Sequence, residues 1–178
     1  MTTRLATAAD IALLDGMLTR MGQFWSENAI KEATAEPWIT IIHETGGVAD
    51  GFYCCKLIFE NGLERSILGP GDAPHESHQA WLKAICEMGI AIDAESLRRH
   101  PKVDASKSWI ITRIWPDKMG PLNTFIETSF NWKAEANAGP VSGKEGYKVV
   151  GTCREYWQKR TNLVAQAKTV LTALEKTA

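Results

Sequence analysis

The sequence has little cysteine, no long apolar run and no surplus of charge of either sign. Four cysteines in 178 residues, Cys54, Cys55, Cys86 and Cys153, show no C-x-x-C spacing. That excludes a zinc ribbon, a thioredoxin-like redox motif and a cystine-stapled scaffold. Cys54 and Cys55 fall inside an apolar run and are expected to be free thiols on opposite faces of a strand. The longest apolar stretches, such as Trp38 to Ile42 and Trp109 to Ile111, are far short of the ~20 residues a membrane-spanning helix needs. No basic-then-apolar leader follows Met1, so a cytoplasmic protein is expected. Lys and Arg number 20 against 21 Asp and Glu, and this balance argues against a basic nucleic-acid binder.

What is present is enough apolar residue, 44%, for one globular domain. A short strand over 2–6 leads into Thr7-Ala-Ala-Asp10, the polar-x-x-acid start of a helix over 8–22 whose Ile11, Leu14, Met17, Leu18 and Met21 share one face. Ser26 caps a second short helix that ends before Pro37. β-Branched and aromatic residues then give strands over 38–43, 51–59 and 63–68, the last two joined by Asn61-Gly62, a strong hairpin signal. Gly69-Pro70-Gly71-Asp72 is read as a break in the sheet. A helix follows through Gly89 with His75, Glu76 and His78 in its first turn, then a short helical continuation over 93–100 closed by Pro101. Next come a strand over 109–115, a helix over about 121–132, a loop through Gly146, and a strand over 147–153. From about Arg154 a long helix carries Trp157, Leu163, Val164, Ala167, Val170, Leu171 and Leu174 on one stripe.

This order predicts an α+β fold, a mixed, mostly antiparallel central sheet flanked by helices, with an added C-terminal helix. The order resembles the Gcn5-related N-acetyltransferase (GNAT) family over about residues 2–157. The opening from Thr3 to Leu14 is similar to the family's first strand and helix. Gly146-Tyr147-Lys148-Val149-Val150-Gly151-Thr152-Cys153-Arg154 looks like the Gly-Phe-x-x-x-Gly-Thr-x-Arg segment of its sixth strand. The expected division is a GNAT-like domain over 1–157 and an amphipathic helix over 158–178 that packs on the domain, on a second copy or on a protein partner.

The resemblance implies an acyl-CoA-dependent N-acyltransferase moving an acetyl group from acetyl-CoA to a small-molecule or protein amine. It implies cofactor contacts from Ile67, Leu68, Gly69, Gly71 and Ala73, at the place of the family's pyrophosphate loop, and from Asn123, which opens the helix bordering the cofactor. At that loop Pro70 removes a donor and Asp72 adds a negative charge. For the general base, a carboxylate on the fourth strand or its hairpin is required, and Glu64, then Glu60, are the candidates; each also reads as a solvated hairpin charge. Seven residues after Asn123, where members place a proton-donating Tyr, stands Phe130, which has no proton to give; Tyr147 and Tyr156 are the candidate substitutes, with no spacing that favours either. A second reading, a GNAT-shaped interaction or structural protein like some carried by tailed phages, stands beside the enzyme.

Other constellations carry less. Asp72, His75, Glu76 and His78 cluster without a third ligand at a recognised zinc spacing, so no metal is expected. Trp109 and Trp115 flank Arg113, and Trp157 lies near Arg154, Lys159 and Arg160, a company that suits base stacking. Burial in the sheet explains the first two more simply. His43 and His100 are read as a strand residue and a helix C-terminal cation.

Overall fold

Thr7 and Asp10 start the first helix as their spacing requires: the Thr7 N–H donates to Asp10 Oδ2 at 2.8 Å while Thr7 Oγ1 accepts from the Ala9 N–H. A computed structural model of the chain describes residues 2–60, 63–72, 76–114 and 134–178. Strand β1 (Thr2–Leu5) leads through a 3-10 turn (Ala8–Asp10) into α1 (Ile11–Arg20), and Ser26 caps α2 (Glu27–Ala33). The strands β2 (Trp38–Thr45), β3 (Val48–Glu60) and β4 (Leu63–Asp72) form the antiparallel meander, and α3 (His78–Arg99) follows, capped by Ser77. Then come β5 (Trp109–Ile114), β6 (Gly146–Val150), β7 (Cys153–Lys159) and α4 (Arg160–Thr177). Among the described residues the sheet has seven strands in the order β1-β2-β3-β4-β5-β7-β6, with β4 and β5 parallel and the other neighbouring strands antiparallel.

Period-two alternation sends neighbouring residues to opposite layers. Ile42, Phe52 and Cys54 pack beneath Leu14, Met17, Leu18 and Ile30 of α1 and α2. On the other face Ile39, Ile41, Cys55 and Leu57 pack against Ala84, Met88 and Ile92 of α3. The two adjacent cysteines therefore do face opposite layers, both buried. Helix α4 lies alongside α3, where Ala167, Cys86 and Tyr156 form a further cluster. Among the described residues no helix is long and apolar enough to cross a membrane.

Three sequence expectations give way. Helix α3 is one piece to Arg99 rather than two, the helix running through Ile90, Ala91 and Ile92 into the continuation expected over 93–100. Trp157 is not on a helix: residues 153–159 are a seventh strand, paired with β5 on one side and β6 on the other, and the terminal helix begins at Arg160. Gly69 to Asp72 is not a break: β4 runs on to Asp72. Tyr53 faces Gly71 and Cys55 faces Leu68, so Cys54 alone stands opposite Gly69 and Pro70. That extra residue is a β-bulge, the interruption at which a proline without an N–H is tolerated within a sheet. The expected helix over 121–132 lies outside the described residues.

Candidate active site

The parallel ladder between β4 and β5 is short. It runs from Arg65↔Trp109 to Leu68↔Thr112 and stops. Beyond that point β4 continues beside β3 as far as Asp72, and β5 continues beside β7 as far as Ile114. Among the described residues, pairing between two adjacent strands thus ends in mid-sheet while each stays held by its other neighbour. The pairing ends at the bulge: the β4 bank is Gly69-Pro70-Gly71, two residues without side chains around one without an N–H. Its little side-chain bulk, and the lack of a β5 partner past Leu68 among the described residues, suit that bank to a ligand approaching the backbone closely.

The β5 bank is charged. Arg113, the first residue of β5 past the last β4 partner, lies in one cross-strand row with Glu155 of β7 and Lys148 of β6. Its Nε donates to Glu155 Oε2 at 2.8 Å. The other carboxylate oxygen, Oε1, accepts from Trp157 Nε1 at 2.7 Å, and Lys148 Nζ stands 3.7 Å from it. Glu155 is buried, its charge satisfied by these donors. Trp157 joins Trp109, Ile111 and Ala138 in a cluster beneath the row. Core packing is therefore the work of these two tryptophans, and Trp115 lies outside the described residues.

The sequence-predicted residues fall unevenly around this opening. Leu68, Gly69 and Gly71 are on its β4 bank, and Ile67 is one position before the last pair. Ala73 and Asn123 lie outside the described residues. Glu64 pairs with Phe59, and Glu60 pairs with Leu63 at the hairpin end of β4. From Glu64 to Leu68 is four strand steps, about 13 Å at ~3.3 Å per residue. Tyr147 sits on β6 in the row of Thr112 and Tyr156, two strands away from the opening, with its ring 5.1 Å from that of Tyr156 and Arg154 over it at 5.2 Å. It packs toward α4, on the sheet face opposite Arg113. Trp81, near the start of α3, packs against the β2–β3–α3 cluster.

Sequence reading missed the Arg113–Glu155–Trp157 arrangement, and also a second one. His43 is fully buried on β2, with Nδ1 2.6 Å from Asp50 Oδ1 and Nε2 2.9 Å from Glu87 Oε2. Its two carboxylates lie on opposite ring edges, so the group ties the β2–β3 hairpin to α3 and leaves no open side for a ligand. An alternating strand carrying a lone His gives no hint of partners 7 and 44 residues away.

No protein-family model matches the sequence, and no curated protein matches it. Solved structures do match in shape. The chain is similar to aminoglycoside 6'-acetyltransferase type Ii (TM-score 0.57, 12% identity, 90% of this chain and 97% of that one). It is also similar to an N-acetyltransferase from Staphylococcus aureus Mu50 (TM-score 0.53, 11% identity, 88% and 94%). A third is aminoglycoside acetyltransferase AAC(6')-Ib in complex with coenzyme A and kanamycin (TM-score 0.53, 15% identity, 90% and 95%). The fold is the GNAT fold.

Proposed function

We propose that the chain is an acyl-CoA-dependent N-acyltransferase that moves an acetyl group to an amine, with the cofactor held where β4 and β5 part. The observation that carries this reading is the end of the β4–β5 ladder at Leu68↔Thr112 beside a bulged Gly69-Pro70-Gly71. A slot between two strands, with little side-chain bulk on one bank, accepts a chain-like, amide-bearing ligand by strand-like hydrogen bonding. The likeness to structures of acetyltransferases, one of them holding coenzyme A, supports it.

Acetyl-CoA supplies an acyl thioester, whose carbonyl needs only polarisation and a positioned nucleophile. In this chain Leu68, Gly69 and Gly71 are the residues that would hold it by their backbone. The amine nitrogen forms the C–N bond, the C–S bond breaks, and the amine proton ends on the departing thiol or in water. At about 13 Å from Leu68, Glu64 is beyond direct contact with the opening, since proton transfer needs hydrogen-bond reach or a single intervening water. Glu64→Gln is therefore expected to keep full turnover.

Calorimetry with acetyl-CoA tests the reading. Saturable binding in the range of about 1 μM to 1 mM, lost in Gly71→Glu, is the expected result. Absence of binding by the wild-type chain at millimolar cofactor overturns it.

A further inference from the structure

We infer that the acceptor amine carries a carboxylate, and that Arg113 binds it. This rests on the transferase reading above and names its substrate class.

Three observations lead there. The first is position: Arg113 is the residue of β5 at which the strand has just lost its β4 partner, so it stands at the mouth of the opening and opposite a bank that begins with Gly69. The second is orientation. Nε is tied to Glu155, and Glu155 is itself buried and fixed through its other oxygen by Trp157 Nε1. A guanidinium held by its Nε keeps an end-on pair of N–H donors, one on each of Nη1 and Nη2, on the edge away from that partner, and among the described residues Glu155 is the one partner of Arg113. The side chain is 58% exposed while its anchor is 6% exposed, so the free end meets solvent and the held end does not. The third is charge. Arg113 and Lys148 are two cations against the single carboxylate of Glu155, leaving the row one positive charge in excess.

A planar pair of donors at a fixed place matches a carboxylate in bidentate fashion, and the excess charge favours an anion and repels a polycation. Kanamycin, the amine bound in one structure of the same fold, is rich in cationic amines. A slot bordered by Arg113, with Lys148 two strands further along the same cross-strand row, suits the opposite charge. An α-amino acid places its amine two bonds from its carboxylate carbon, so anchoring the carboxylate on Arg113 fixes the nitrogen nearby at the opening. In the transfer that nitrogen forms the new C–N bond, the thioester C–S bond breaks, and the proton leaves with the sulfur as free thiol; Arg113 holds the acceptor and takes no proton.

The test follows thiol release by the full chain from acetyl-CoA, with three acceptor sets: the α-amino acids, the amines obtained by decarboxylating them, and spermidine as a polycation. The expected result is a kcat/KM at least about tenfold higher for the best amino acid than for its decarboxylated partner, the worth of one charge-assisted hydrogen-bonded contact. Arg113→Gln should bring that ratio near one through KM, and Arg113→Lys should restore part of it. Acetyl-CoA affinity by calorimetry reports whether each variant is folded, and Lys148→Gln, which leaves the Glu155 anchor in place, should lower the same ratio more weakly. If acetyl-CoA binds but amino acids are no better than their decarboxylated partners, or spermidine is preferred, or no set releases thiol, the acceptor inference is overturned and the cofactor reading stands. If the wild-type chain binds no acetyl-CoA, both fall together.

Discussion

Arg160, the first residue of α4, and Asp93, in the middle of α3, form a buried ion pair in which the guanidinium Nε donates to the Asp93 carboxylate and Nη2 donates to the Asp93 backbone carbonyl at 2.9 Å. The Arg160 side chain is 2% exposed. Its backbone N–H also donates to the Ser108 carbonyl at 3.0 Å, so the start of α4 is fixed to both α3 and the turn before β5. The terminal helix is thereby anchored at the end where β7 delivers it, and the apolar contacts of Ala167 continue the attachment.

The pair predicts an asymmetry. Asp93→Ala removes the carboxylate that faces a buried guanidinium while keeping the Nη2 bond to the backbone carbonyl of residue 93, and should cost about 3 kcal/mol, the scale for breaking a buried pair from one side. Arg160→Met removes the charge from the drier side and leaves Asp93 with partial access to water, so it should cost less, and the double variant should resemble it. Urea unfolding of the three proteins measures this. Equal stability for all of them would mean that α4 does not rest on this contact.

Acid should weaken the protein through two carboxylates. Hydrogen bonds from Arg98, then Arg99, hold the Glu95 carboxyl down at about 2, and the Arg4 guanidinium, helped by the Thr7 N–H, holds Asp10 below its ordinary value. A carboxyl with a lower pKa folded than unfolded stabilises the protein fully above the unfolded value; that contribution fades as pH falls from about 4.5 toward 2 for Glu95. Arg98 is largely exposed, which screens its share, so about 1 kcal/mol per site is the expected scale. Urea midpoints at pH 6, 4 and 3 should fall more steeply for the wild type than for Glu95→Gln combined with Asp10→Asn.

Much of this fold is legible in the sequence where the determinant is local. The Thr7–Asp10 spacing, the Ser26 cap and the apolar positions of α1 need only a few neighbouring residues to be understood. Strand β7 is hidden because both its faces are covered: Tyr156 packs toward α4 and Trp157 toward Trp109, which erases the alternation a half-exposed strand shows and leaves Trp157 in phase with the helix that follows. Gly69-Pro70-Gly71 reads as a turn because glycine and proline usually make one; only the partner strand shows that a bulge absorbs them. The opening depends on where β4–β5 pairing ends, and the Arg113–Glu155 contact joins residues 42 apart through the pairing of β5 with β7. Neither is written in any short stretch of the chain.

The four thiols should be silent in the native protein. All are buried, and burial pushes Cys54 up to about 11 and Cys86 up to about 12, with Glu87 adding to the second. Since the thiolate is the reacting form, a thiol at such values is almost wholly protonated at pH 8, and buried sulfur is also out of reach of a bulky disulfide reagent. Cys55 has no exposed surface and Cys153 has 6%. Cys153 Sγ donates to the Val150 carbonyl at 3.1 Å across the β6–β7 turn. Mixing the native chain with an aromatic disulfide at pH 8 should give no burst, and Cys54, Cys55 and Cys86 should then react together at the rate of global unfolding. The order of release under partial denaturation is informative: Cys153, the first residue of β7 after a two-residue turn from the edge strand β6, should label first, because local opening there disrupts one hairpin, whereas exposing Cys54 or Cys55 requires parting β3 from a helical layer on one side or the other. A rapid stoichiometric reaction at Cys54 or Cys55 in the folded protein would show that the layers over β3 open far more easily than their packing implies.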